Sequence, residues 1–201
     1  MTITLDGTNG ITTPDLDSTG PVTATTGTFS GAVQGSGVAT NLYPLVSDTA
    51  KAFNWNGSSS NTSLDFTSIP SWAKRITVMF SGLSLSGTSD ILVQLGDAGG
   101  FEITGYISSG SATGTGAAIS TSTAGMIIRS AAAASITSGI MTIQNITENS
   151  WVAGYSGKQS STASSYGGGD KTLSDTLTQV RITTVNGTDT FDAGTVNILY
   201  E

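Results

Sequence analysis

The chain has 201 residues, enough for one domain of ordinary size and an appendage. Charged residues make up 10% of it, against about 25% in typical globular chains, and its seven basic residues form no run within a net charge of −7. That balance excludes the clustered Lys and Arg needed to grip nucleic acid or an anionic membrane surface, and the absence of Cys and His excludes disulfides, thiolate or imidazole metal sites and a Ser-His-Asp triad.

Ser, Thr, Gly and Asn fill the positions that charge vacates. Disordered chains carry high charge and few β-branched residues, the reverse of this composition. Thr, Val and Ile favour strands, so the expectation is an ordered, all-β protein. No apolar run approaches the roughly 20 residues that span a bilayer, so no membrane insertion is expected. The opening Met1 to Gly7 has neither a basic nor an apolar leader segment, which predicts synthesis in a cytoplasm without export.

Residues 1–41 are β-prone snatches cut by Gly or Pro every few positions. Their few apolar residues cannot offset an ordering cost of about 1–2 kcal/mol per residue. This region is therefore either a flexible linker or an extended stalk ordered by identical copies of itself. The cluster Leu42, Tyr43, Leu45 and Val46 around Pro44 marks the start of a second domain, residues 42–201. A first short strand is predicted at Ala50–Trp55, with Phe53 and Trp55 on one face, then a turn from Asn56.

The clearest strand follows Pro70, which fixes its own φ and holds Ile69 extended. From Arg75 the pattern alternates, with Ile76, Val78 and Phe80 on one face and Thr77 and Met79 on the other. Leu83 and Leu85 alternate with Ser, and Ile91, Val93 and Leu95 form a further set. Ser109–Gly125, made of small polar residues, reads as a long connection of the kind that carries function. Met126–Arg129 and Gly139–Ile146 read as strands, and Trp151–Tyr155 as a short aromatic one. Ser156–Asp170 reads as a second long polar loop. Asn186-Gly187 signals a type I′ hairpin between Thr178–Val185 and the closing Asp189–Tyr200. The whole reads as a sandwich of nine to eleven strands, with at most a helical turn near Asp48–Lys51 or Ser130–Ser135.

The acids, among them Asp97, Glu102, Glu148 and Asp170, read as isolated loop residues rather than as a carboxylate pair. Asp15 and Asp17 lack the further spaced oxygens of a calcium loop. The expectation is no enzyme, no catalytic residue, no metal and no cofactor. Trp151 reads as core, and Tyr155 as either core or surface. Tyr166, within Ser-Ser-Tyr-Gly-Gly-Gly, is the better surface candidate. Tyr155, Lys158, Tyr166 and Asp170, in or beside the second loop, are the candidate receptor contacts.

Several stretches resemble bacteriophage tail fibre proteins. They are Leu5-Asp-Gly-Thr-Asn-Gly-Ile-Thr-Thr-Pro14, Val22-Thr-Ala-Thr-Thr-Gly-Thr-Phe-Ser-Gly31, Leu64–Phe80 with Leu92-Val-Gln-Leu-Gly96, and Gly194-Thr-Val-Asn-Ile-Leu-Tyr-Glu201. The resemblance implies a short homotrimeric fibre in the virion. Its N-terminal region would be an intertwined stalk docked to a baseplate or other tail component. A C-terminal antiparallel β-sandwich, jelly-roll-like, would meet a host surface polysaccharide. The alternatives are a structural virion protein of the baseplate or head, and a carbohydrate-binding module of an exported enzyme.

Overall fold

The computed structural model describes residues 61–114, 118–130 and 132–201, with the backbones of Val46–Ser47 and Lys51–Ala52. The expected stalk, the Phe53–Trp55 pair and the Asn56 turn lie outside the described residues. So do Asp15 and Asp17. The described strands are β1 (Val46–Ser47), β2 (Lys51–Ala52), β3 (Leu64–Phe66), β4 (Arg75–Leu85), β5 (Ile91–Asp97), β6 (Gly100–Phe101) and β7 (Ile107–Thr113). They continue with β8 (Ala118–Ser122), β9 (Met126–Ile128), β10 (Thr137–Thr147), β11 (Ser150–Lys158), β12 (Ser164–Thr172), β13 (Gln179–Thr184) and β14 (Phe191–Tyr200). No helix occurs among the described residues, and at the expected helical turn Ser135 N–H donates to Ala132 O in a simple turn over 132–135.

Two antiparallel sheets form a β-sandwich. The larger runs β1-β14-β4-β10-β11-β12-β7-β8, with β2 also on β14. The smaller runs β3-β13-β5-β6, with β9 also on β5. From β3 onwards the chain passes between the sheets seven times. This alternation lets each connection cross the end of the core, so both sheets bury one face on the other.

β4 shows why these residues choose this fold. Its inward set, Ile76, Val78, Phe80, Leu83 and Leu85, is buried, whereas Thr77 and Met79 are only partly covered. Gly82, at φ 68°, takes up a bulge that keeps both halves of the strand facing the same core. Trp72, beside the Pro70 turn, packs its ring on Tyr200 at 5.9 Å. β5 departs from the expected alternation. All seven of its residues are buried, because the chain at Ala124 and Gly125 covers its second face and takes a hydrogen bond from Gln94.

Both segments expected as long loops are largely strand. Ser109–Gly125 holds most of β7 and all of β8, and Ser156–Asp170 holds the end of β11, a short turn and most of β12. The physical reason lies in what faces inward: Ser108, Gly110 and Ala112 on β7, and Ser165, Gly167 and Gly169 on β12. These small residues make room for β9 and for the Tyr155 ring. A Cβ on Gly110 would lie 2.8 Å from the Tyr155 hydroxyl, and one on Gly167 would lie 2.3 Å from Ser109 O. The strand period is present, but as small against polar rather than apolar against polar.

Asn186-Gly187 also turns out differently. Gly187 has φ 68°, while Asn186 has no positive φ, so the turn is not type I′. Its flanking strands lie in different sheets, β13 against β3 and β5, and β14 against β4. Asn186 Oδ1 accepts from the N–H groups of Thr188 and Asp189 at 3.1 and 3.0 Å. That side-chain cap carries the chain over the sandwich edge instead of folding it back on itself.

Candidate functional site

The outward face of the larger sheet carries the candidate contacts. Register aligns its side chains in rows that cross the strands. One row is Ile140–Ser156–Tyr166–Ser111–Ile119. The next is Gly154–Gly168–Ser109–Thr121, and the one after is Val152–Asp170–Ile107. Ile140, Tyr166, Ile119, Val152 and Ile107 are all exposed, Ile119 and Ile107 by 75% and 72%. Scattered exposed apolar residues are ordinary in soluble proteins, but aligned ones form a patch.

Two hollows open on this face. One, of about 570 Å³, is lined by Ile107, Ser109, Thr121, Thr123 and Gly168. The other, of about 460 Å³, is lined by Ser109, Ser111, Ile119, Tyr166 and Gly168. They share Ser109 and Gly168 and so are contiguous. A third hollow, of about 490 Å³, lies between Met79, Ile140 and Asn197 on the other half of the face.

The four expected contacts separate. Tyr166 and Asp170 share the outward face of β12, four residues apart, or about 13 Å at the rise of an antiparallel strand. Lys158 is exposed on the outward face of β11, opposite Ser138 and Ser164, one row beyond Tyr166. Tyr155 is in the core at 4% exposure, with its ring beneath the second hollow rather than on the outward face. Strand parity decides this: Trp151, Ala153 and Tyr155 point in, and Val152, Gly154 and Ser156 point out.

Tyr155 instead anchors the sandwich. Its hydroxyl accepts from the Arg129 backbone N–H at 2.9 Å. Arg129 in turn donates through Nη1 to both Asp90 oxygens, at 3.2 and 2.9 Å, and to Ser120 Oγ at 2.8 Å. The site strands β8 and β11 are thereby tied to the smaller sheet. Tyr155→Phe is expected to lower stability by about 1–2 kcal/mol, because a buried N–H loses its acceptor, while ligand binding stays unchanged. A chemical melt and a binding isotherm on the same preparation check both halves of that statement.

The acids are less isolated than their spacing suggests. Ser174 Oγ donates to Asp97 at 2.7 Å or to Glu102 at 2.8 Å, and Glu102 pairs with the buried ammonium of Lys171. Hydrogen bonding from Ser174 lowers the Asp97 carboxyl below its ordinary range. Burial pushes Glu102 up, but hydrogen bonds from Lys171 and Ser174 outweigh it and hold the group low. Among the described residues no group of three or more acids could hold a metal ion.

Buried Tyr106 donates to Leu95 O at 3.2 Å and accepts from Leu95 N–H at 2.7 Å. Burial pushes its phenol, and that of Tyr155, above the ordinary 10.0. A folded-state pKa raised in this way gives stability that is intact below pH 10 and lost as pH rises further. The lowered Asp97 and Glu102 give stability that is intact above their ordinary values of 3.8 and 4.5 and lost in acid. With no His in the chain, the melting temperature is expected to be flat from about pH 6 to 9 and to fall on both sides. Tyr106→Phe would flatten the alkaline fall, and a pH series of thermal melts reads it.

Sequence reasoning picked out Tyr166 and Asp170 singly, and took in Ser109, Ile119 and Thr121 only as part of the Ser109–Gly125 connection, read as a loop. The strand that carries Ile119 and Thr121 shows only as the alternation within Ala118-Ile-Ser-Thr-Ser122, too short and too polar to register. No family model, curated protein or solved structure matches the chain.

Proposed function

We propose that this chain is a bacteriophage tail fibre protein that attaches the particle to its host by binding a surface polysaccharide. The observation that carries the reading is the aligned set of exposed apolar and aromatic residues around Tyr166, on a sheet face with little charge. Such a face offers rings and methyl groups to the apolar side of a sugar and hydroxyls to its polar edge. Residues 1–41 serve as the attachment and stalk region, docked to a baseplate or other tail component. The fibre acts as a homotrimer. Each site binds weakly and reversibly, and several sites on one particle gain avidity through effective concentration. Binding is the whole activity, without a catalytic step, metal or cofactor. The protein is made in the host cytoplasm and ends in the virion.

A second reading, a purely structural virion part, is favoured by the Met79–Ile140–Asn197 hollow, whose apolar lining suits a neighbouring subunit. Antibodies raised against residues 61–201 and imaged on intact particles separate the two. Label at the free tip of the tail supports attachment. Label confined to the head or buried in the baseplate overturns it in favour of the structural reading.

A further inference from the structure

The middle of the three outward rows is lower than its neighbours. Gly154 and Gly168 have no side chain, and Ser109 and Thr121 have short ones. On one side stand Tyr166 and Ile119, and on the other Val152, Asp170 and Ile107. The two contiguous hollows lie along this row. The result is a trough that runs across the strands rather than along them. From β11 to β8 it spans three inter-strand gaps, or about 14 Å. A linear chain of several sugar rings fits such a shape better than a compact small molecule.

Charge narrows the class. From β11 to β8, Asp170 is the one charged side chain in these three rows; Arg75, at the β4 end of the third row, is paired with Glu201, Lys158 stands one row beyond Tyr166, and the protein as a whole is at −7. A phosphorylated or carboxylated polymer would meet no cation in the trough and would be repelled by the field around it. The lining otherwise consists of hydroxyls, each both donor and acceptor, and apolar walls. Asp170 adds a strong acceptor for a pair of sugar hydroxyls.

We infer that the trough binds a neutral, linear surface polysaccharide laid across β12, β7 and β8. One ring stacks on Tyr166, and hydroxyls are met by Ser109, Thr121 and Asp170. This rests on the proposed attachment role and deepens it by naming the ligand's charge class and its seat.

The test is retention of the full-length protein on an array of bacterial surface polysaccharides, neutral and acidic, at low and high salt. Neutral polymers should be retained, with little change on adding salt. Tyr166→Ala and Ser109→Trp should each weaken retention at least about tenfold. Both positions are exposed, and a thermal melt of each variant confirms folding. If Ser109→Trp does not fold, Thr121→Trp blocks the same floor. Retention of acidic polymers alone overturns the inference but leaves the attachment role standing. Neutral retention unaffected by every variant overturns the seat. Retention of no polymer overturns the inference outright, and antibody labelling of the tail tip decides the attachment role independently.

Discussion

Gly157→Val is expected to destabilise the protein by about 3 kcal/mol, the upper part of the range for overpacking in a well-filled core. A Cβ at Gly157 would lie 2.3 Å from Ser138 O and 2.8 Å from Gly139 Cα. Both obstacles are backbone of the paired strand β10, so neither can swing aside. Gly139 faces the same constraint from the other side, with Ser156 O at 2.5 Å from its own missing Cβ. The two strands approach so closely here because both partners are glycine. Gly154→Val, three residues earlier on the same strand, is the control. Its Cβ would meet nothing nearer than Gly167 O at 4.0 Å, and a β-branched residue suits an exposed strand position. Urea titrations of the two variants should differ by most of those 3 kcal/mol. Equal midpoints would mean that the β10–β11 pairing relaxes freely, contrary to the packing described.

Asp90→Ala is expected to cost about 3–5 kcal/mol, because it leaves the Arg129 guanidinium without its carboxylate in a largely buried setting. Asp90 is 8% exposed. Besides the two contacts from Arg129 Nη1, it accepts from Ser130 N–H at 2.8 Å. Three hydrogen bonds vanish at once, all charge-assisted and two of them between opposite charges. Asp90→Asn keeps one acceptor for Ser130 and should fall between wild type and Asp90→Ala. The consequence reaches the binding face, because Arg129 also donates to Ser120 on β8. Hydrogen exchange should therefore show β8 opening more often in Asp90→Ala, while β4 and β10 stay protected. Protection of β8 equal to wild type would remove the network from any role in holding the trough.

These expectations locate what was legible in the residues. Ile76, Val78 and Phe80 on β4, and Met141 and Ile143 on β10, announce themselves by alternation, because their inward side chains are large and apolar. β7, β8 and β12 do not, because a hydrophobic period cannot be read where the inward residue is Ser, Gly or Ala. Asn186-Gly187 shows a different failure. A dipeptide reports the bend of its own backbone but not the sheet that the next strand joins. Tyr155 and Tyr166 stand eleven residues apart in similar polar company, and only strand parity puts one inside and the other out.

The residue list by itself determined the class of the protein. Low charge with abundant Thr, Val and Ile gives an all-β chain, and the absence of His and Cys leaves no residue for a Ser-His-Asp triad or a thiolate, because those outcomes depend on which groups exist. The same list determined the apolar strands, since burial of large side chains dominates local choice. The tertiary structure alone decided the place of the small-residue strands. They hold because Tyr155 and β9 need the space that Gly110 and Gly167 leave. It also decided the trough, which exists only when Tyr166 on β12 comes into register with Ser109 and Thr121 on the paired strands β7 and β8, far from it in the chain.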